Sequence, residues 1–394
     1  MTSRIALRAA AMFDGATTAT DPLVVIEDGR IVAVDAGARI APPPDAELVD
    51  MPGATLLPGL VDTHVHLGFD AGLDPVASLA ARAPDEVLDA MAVAAHAQLR
   101  AGVTTVRDLG DRDYLTLALR ERGGLLPTIV AAGPPITSPG GHCHFLGAAT
   151  SGVDGVRAAV REHAERGVDV IKVMASGGQM TPGTSWEATQ FPPEVLRALV
   201  DEAHAHGLPV TAHAHAVDAI RDALDAGVDG MEHCTFMTAD GARLDEALLG
   251  RLVQQRVACG LTVGIDMSTG MEPPPAIRQH MGGILAVATR ICASGALVVA
   301  GTDAGIAPPK PHGVLPLGLM HLVELGMTPL QALTAGTSVA ATVCGLGDRK
   351  GRIVPGFDAD LLAVAGDPLT DMSALLRPVR VVAGGREIVP VATA

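Results

Sequence analysis

Two histidines spaced i, i+2 close the run Leu57-Pro58-Gly59-Leu60-Val61-Asp62-Thr63-His64-Val65-His66. The run is apolar, rich in β-branched residues and broken near its start by Pro-Gly, so it reads as a buried strand that carries both imidazoles on one face at its end. Imidazole ligates first-row divalent ions, but two ligands do not make a site. The rest of the chain offers more where polar residues interrupt later apolar runs: Lys172 in Val170-Ile171-Lys172-Val173, His213 in Val210-Thr211-Ala212-His213, His233 in Gly230-Met231-Glu232-His233 and Asp303 in Ala300-Gly301-Thr302-Asp303. A lone His-x-His pair is a weak motif; the same chemistry recurring at the ends of successive strands is hard to obtain by chance. Imidazole together with carboxylate suits zinc or a similar ion better than calcium or magnesium.

These residues need a scaffold that brings several strand ends together. From Leu60 onward the chain repeats a helix, a small residue with Gly, and an apolar strand, with joints at Ala101-Gly102-Val103, Arg166-Gly167-Val168, His206-Gly207-Leu208, Ala226-Gly227-Val228 and Ser294-Gly295-Ala296. Glycine just past a helix end supplies the left-handed conformation that turns the chain into the next strand. The pattern predicts eight strands near 60–66, 103–108, 127–132, 168–174, 208–213, 228–233, 257–264 and 297–302. Eight strands alternating with helices predict an α/β fold, a (β/α)8 TIM barrel, whose active sites form at the C-terminal strand ends.

Residues 1–58 differ: short β-type runs at 4–10, 23–27 and 30–35 surround an Asp28-Gly29 hairpin signal, and Ala41-Pro42-Pro43-Pro44-Asp45 reads as a connection. After a helix expected near 328–344, residues 346–394 return to short strands with a Gly384-Gly385 hairpin. The expected organisation is a barrel over 59–345 and a small β-sandwich domain from 1–58 and 346–394.

Bulk properties narrow the function classes. The 394 residues carry 28 Lys and Arg against 44 Asp and Glu, a net charge of −16, which argues against nucleic acid or an anionic membrane as partner. No apolar stretch approaches the roughly 20 residues of a membrane span, and Met1-Thr2-Ser3-Arg4-Ile5 runs straight into a strand pattern without a secretory leader. Five cysteines at 143, 234, 259, 292 and 344 show no metal-type spacing and read as reduced thiols of a cytoplasmic protein. Cys143 and Cys234 lie beside motif histidines, but nothing sets either against a base.

The order His-x-His, Lys, His, His, Asp on successive strands resembles the amidohydrolase superfamily, in particular its binuclear metal-dependent hydrolases. Gly140-Gly141-His142-Cys143-His144-Phe145, Ile171-Lys172-Val173-Met174-Ala175-Ser176-Gly177-Gly178, Thr189-Gln190-Phe191 and Gly301-Thr302-Asp303-Ala304-Gly305 look like the prolidase-like (Xaa-Pro dipeptidase-related) branch. The resemblance spans nearly the whole chain. It implies two divalent metal ions, expected to be Zn2+. His64, His66 and Asp303 would hold the first and His213 and His233 the second, with Lys172 bridging both as an N6-carboxylated side chain formed with CO2. It implies an amidohydrolase in which a metal-bridging hydroxide attacks an amide-type carbonyl, while Asp303 takes its proton and passes it to the leaving nitrogen. It also implies that the C-terminal tail pairs with the N-terminal sheet.

Several assignments stay open at this level. His213 and His215 share a face by period 2, so spacing does not choose the ligand; the resemblance assigns His213. His215 then falls where relatives often carry a substrate-contacting tyrosine, and His142 falls where relatives hold a polar group of the substrate. Asp62 would either orient a ligand or bond nearby backbone. Arg107 and Asp108 are expected to form a structural ion pair, and Trp186 either belongs to a lid over 176–191 or packs on the rim. The expected substrates are small molecules, dipeptides or N-acyl amino acids first, with non-peptide amides, carbamates, ureas or cyclic imides as the alternative. A silent binding scaffold would have lost ligands, and all six are present. Assembly as a homo-oligomer is expected on general grounds.

Overall fold

A computed structural model of the protein describes residues 4–37 and 40–388; the stretch Met1-Thr2-Ser3, which the sequence reading runs into the first strand, lies outside them. The amino-terminal strands are β1 (Ile5–Phe13), β2 (Thr18–Thr20), β3 (Pro22–Glu27), β4 (Arg30–Ala36) and β5 (Glu47–Pro58). Strands β6 (Leu60–Val65), β7 (Val103–Asp108), β8 (Thr128–Ala131), β9 (Ile171–Met174), β10 (Val210–Ala216) and β11 (Gly230–Thr238) follow, then the short β12 (Gly241–Ala242), β13 (Ala258–Thr262) and β14 (Leu297–Gly301). The tail supplies β15 (Leu361–Ala365), β16 (Pro378–Ala383) and β17 (Arg386–Ile388). Each of the eight strands expected after residue 59 is present within a few residues of its predicted place. Glycine takes the left-handed turn at the expected joints, for example Gly167 at φ 82° and Gly227 at φ 86°.

Those eight strands form two parallel sheets, β6-β7-β8 and β9-β10-β11-β13-β14. A continuous ladder around all eight, as the barrel expectation implies, is not formed. At each seam one parallel bridge stands in its place, Val65 with Ala304 and Ile136 with Val173. The cause is local. Beyond β8 the chain passes Gly133 at φ 68° and then Pro134-Pro135, which have no N–H to donate. Beyond β14, Asp303 adopts φ 61° and turns the backbone out of the extended conformation. Both seams border the residues singled out above: Asp303 N bonds His64 O at 2.7 Å, His66 N bonds Ala304 O at 3.0 Å, and Ile136 N bonds Lys172 O at 2.8 Å.

The terminal segments pair as expected, β15 running antiparallel to β5. They make one eight-stranded ladder, β17-β16-β15-β5-β1-β3-β4 with β2 beside β1, where the expectation was two facing sheets. Alternation along β1 and β3 sends Leu7, Ala9, Val24 and Ile26 to one apolar cluster and Ala6, Leu23 and Val25 to another. Alternation along β5 likewise sends Leu56 to the first of these clusters and Leu57 to the main core beneath the parallel sheets. The Asp28-Gly29 turn has φ of 50° and 77°, the pair of positive values a two-residue hairpin of this type needs. The helix expected over 328–344 is broken into Pro329–Ala335 and Ser338–Val343. At the break, the Gly336 carbonyl accepts the Val61 amide at 2.8 Å, so the interruption anchors the start of β6.

Gly59 joins the two bodies of structure. A Cβ there would lie 2.5 Å from Cγ2 and 2.8 Å from Cβ of Thr104, itself buried. Gly59→Ala is therefore expected to destabilise the protein by about 1–3 kcal/mol through overpacking, read as a lower urea midpoint at an unchanged denaturant slope; an unshifted midpoint would show that β6 and β7 can move apart.

Candidate metal centre

The proposed ligands converge. His64, at the end of β6, and His66, just past it, lie with ring centroids 5.2 Å apart, and their Nε2 atoms stand 3.5 and 3.2 Å from Asp303 Oδ1. On the other side, the rings of His213 and His233 are 4.5 Å apart, and His233 lies 5.4 Å from His64. Two groups of ligand atoms, His64/His66/Asp303 and His213/His215/His233, each fall within 4.8 Å of one another.

Second partners fix the ring tautomers. His66 Nδ1 donates to Gly110 O at 3.0 Å and His64 Nδ1 to Glu232 Oε2 at 3.0 Å, which points both Nε2 atoms toward Asp303. His213 uses Nε2 on Gly177 O at 3.1 Å and His215 uses Nδ1 on Thr235 Oγ1 at 2.9 Å. Asp62 touches no imidazole. It accepts from the amides of His64 (3.2 Å) and Thr302 (3.0 Å) and from Thr302 Oγ1 (2.6 Å), clamping the backbone on which His64 and Asp303 sit. Both openings left for Asp62 are thus met in one: its bonds go mainly to nearby backbone, and through it they orient ligands.

The electrostatics suit cation binding. Burial, reinforced by neighbouring imidazoles, holds His213 and His233 well below the ordinary histidine range, and burial also takes His64 and His142 down to about 4 and His215 to about 3. These rings are neutral with free lone pairs at pH 7. Burial opposes the charge on Asp303, yet His64, His66 and Lys310 keep its carboxyl well below the usual range. Burial lowers Lys172 to about 8 against the pull of Glu232 and Asp303, and its Nζ has no hydrogen-bond partner. A buried amine without an acceptor is costly unless its chemistry supplies one. Burial lowers His66 too, but its bond to Asp303 outweighs that and raises it above the ordinary range. The donor set of imidazoles, an ionised carboxylate and an unpartnered amine fits divalent ions.

Glu232 is the functional residue that the motif reading passed over. It is buried beside His233, accepts from Arg107 Nη2 at 3.0 Å and Thr211 Oγ1 at 2.7 Å, and orients His64. Burial alone would raise its pKa, but His64 and Arg107 hold it at about 2. Adjacent strand residues ordinarily face opposite ways; here both approach His64 because His233 takes φ 73°. The clue in the sequence was an acid inside an apolar strand. The expected Arg107–Asp108 ion pair is not made, since alternation separates them: Arg107 turns to Glu232, and Asp108 accepts the amides of Leu67 (2.8 Å) and Gly110 (3.1 Å).

The loop residues close the site. His142 is buried, its ring 4.7 Å from His213, its Nδ1 unpartnered and its amide bonded to Gln190 Oε1. His144 packs its own loop through Nδ1 on Gly141 O at 2.9 Å. Trp186 is buried with its ring 5.9 Å from His215 and 5.7 Å from His280. Burial raises the Cys143 thiol to about 12, which removes it as a nucleophile at neutral pH.

Residues 55–388 match the amidohydrolase family model. The chain belongs to the amidohydrolase family. It is accordingly a hydrolase acting on C–N bonds. It is 28% identical over 361 residues to the ochratoxinase of Aspergillus niger, covering 82% of this chain and 72% of that one. To an uncharacterized protein of Mycobacterium tuberculosis it is 30% identical over 346 residues, 86% of each chain. Among solved structures, a Xaa-Pro dipeptidase with methionine bound in its active site superposes with a TM-score of 0.87 at 26% identity over 98% of this amidohydrolase and 99% of that chain.

Glu232→Gln is expected to lower stability by leaving Arg107 unpaired and to weaken the hold on His64, lowering the divalent-ion affinity of the folded protein by about 10–100-fold. Competition against a chelating dye measures it, and unchanged affinity would remove Glu232 from the centre.

Proposed function

We propose that this amidohydrolase is a metal-dependent enzyme that cleaves an amide-type C–N bond of a small molecule. The observation carrying the reading is the placement of two ligand groups, His64/His66/Asp303 and His213/His215/His233, in the same buried site as an unpartnered lysine amine. In this reading His64, His66 and Asp303 hold one divalent ion, taken to be zinc, and His213 and His233 the other. Lys172, carboxylated on Nζ, serves both. Divalent ions, when bound, would supply Lewis acidity toward the scissile carbonyl and activate water. The eight strands are then a (β/α)8 barrel interrupted at the two seams, spanning 59–345 beside a small domain from the terminal segments.

The chain's own groups have defined tasks. The neutral form of Lys172 attacks CO2, forming an N–C bond and losing the amine proton to solvent, which turns a cation that would repel metal into an anion that attracts it. Asp303 Oδ, ionised, takes a proton from the water side and delivers it to the departing nitrogen, because an amine leaves poorly unless protonated. His142 Nδ1, buried without a partner, is the group proposed to meet a polar atom of the substrate, with His215 beside it. Similarity to a Xaa-Pro dipeptidase supports dipeptides or N-acyl amino acids as one substrate class. The absence of lysine and arginine from residues 59–81, 132–156, 173–196 and 257–277 favours the other, non-peptide amides, carbamates, ureas or cyclic imides. Five free cysteines and, among the described residues, no helix long and apolar enough to cross a membrane support a cytoplasmic setting. Assembly as a homo-oligomer remains part of the proposal on general grounds.

Lys172→Ala is expected to reduce metal content and abolish turnover of any cleaved amide; two ions per chain and full activity in that variant would refute the bridging role. Asp303→Asn should leave the fold intact and lower kcat by at least about 100-fold, and a wild-type rate would free Asp303 of proton transfer. Because only the neutral amine reacts with CO2, the pH dependence has a definite sign. With Lys172 near 8, the neutral fraction rises about 50-fold from pH 6 to pH 8 and then levels off. Initial carboxylation of the apo protein at fixed dissolved CO2, followed by native mass spectrometry, should track that curve; a rate still climbing tenfold per unit beyond pH 9 would indicate an ordinary lysine.

A further inference from the structure

The walls of the site say something about the charge and shape of what enters it. A dipeptide or an N-acyl amino acid brings a free carboxylate that must be neutralised once it leaves water. Residues 59–81, 132–156, 173–196 and 257–277, which include the loops following β6, β8, β9 and β13, contain neither lysine nor arginine. Arg107, Lys310 and Arg112, on β7 and on the loops after β14 and β7, are already committed, and Arg243 on the loop after β11 is exposed and paired with Asp240. Arg107 donates to Glu232 and to Thr63 O at 2.7 Å, Lys310 Nζ donates to Thr302 O at 2.7 Å and Thr262 O at 3.1 Å, and Arg112 donates to the carbonyls of Leu79 and Arg82. The same loops do carry acids, Asp70, Glu187, Asp266 and Glu272.

The apolar side of the argument rests on composition. The whole chain has only six Phe, one Trp and one Tyr, yet three of these eight stand in loops at the histidine cluster. Phe69 lies 5.6 Å from His66 and 6.5 Å from Phe145, and Trp186 lies 5.9 Å from His215. His215 in turn stacks on His233 at 4.5 Å with planes 24° apart. Rings thus border the ligands on both the His66 side and the His215 side, Phe69 and Trp186 buried and Phe145 half-buried. Ring faces and edges of this kind favour a planar apolar group over a flexible alkyl chain.

We propose that the substrate of this site is an uncharged amide, carbamate or urea bearing a planar apolar ring, and that a free carboxylate near the scissile bond is selected against. The proposal rests on the amide-hydrolase reading and narrows it. His142 Nδ1 supplies the single polar contact that such a molecule needs, and the aromatic side chains supply the rest.

The test uses metal-replete, bicarbonate-treated protein and substrate pairs that differ in one property. Alanine pyrrolidide against Ala-Pro and acetanilide against 4-acetamidobenzoate vary the carboxylate, and phenylurea against butylurea varies the ring. Relative kcat/KM is read by mass spectrometry, and the affinity of each compound is measured by calorimetry so that the comparison does not depend on turnover. The member of each pair that lacks the carboxylate is expected to be favoured by about 100-fold in kcat/KM and to bind more tightly, and the aryl urea is expected to outrank the alkyl urea. Preference for Ala-Pro and 4-acetamidobenzoate overturns the inference and leaves the hydrolase reading standing. If no compound is cleaved, the hydrolase reading is what fails, and the binding order still decides this inference: tighter binding of the carboxylates, or no preference for the ring, overturns it.

Discussion

The Glu232 carboxylate is the charge on which the arrangement of this site depends. It lies buried on β11 and answers to one group from each of three other strands: the guanidinium of Arg107 on β7, the hydroxyl of Thr211 on β10 and the imidazole of His64 on β6. Removing one member of a buried ion pair leaves an uncompensated charge and typically costs about 3–5 kcal/mol. The network therefore fixes four strands relative to one another before any ion binds. Gly260 on the neighbouring β13 belongs to the same constraint, since a Cβ there would stand 2.8 Å from the Glu232 carboxyl carbon.

Around this anchor, regular strand geometry is given up where chemistry is placed. His233 and Asp303 hold positive φ, at 73° and 61°, in a conformation that costs non-glycine residues free energy and persists where surroundings over-determine it. At Asp303 those surroundings are the Asp62 clamp on Thr302 and the Lys310 ammonium on the carbonyls of Thr262 and Thr302. The ladder stops at the two seams for related reasons, a turning backbone on one side and prolines on the other. Strand ends that stop pairing with each other are free to aim side chains into a shared space.

Burial gives the site its electrostatic character. Taking imidazoles out of water suppresses their protonation, and taking Lys172 out of water brings its neutral form within reach of physiological pH, while Asp303 keeps its charge because histidines and Lys310 surround it. The same burial lowers the clustered imidazoles of His213, His215 and His233 and that of His142 alike.

The sequence by itself determined the α/β class, the places of the eight parallel strands and the polar residues gathered at their ends, because these follow from hydrophobic period, glycine at helix ends and polar residues interrupting apolar runs. It also located the hairpins at Asp28-Gly29 and Gly384-Gly385, where the turn is dictated by two residues. What it did not carry was anything dependent on which strands end up side by side. The pairing of Arg107 with Glu232 across β7 and β11, the break at Gly336 that serves β6, and the single ladder of the terminal strands all join residues far apart in the chain. Asp108 looked like the partner of Arg107 because it is adjacent, and alternation along the strand turned it away. Local patterns decide what a segment becomes; only close packing decides which charge must answer which.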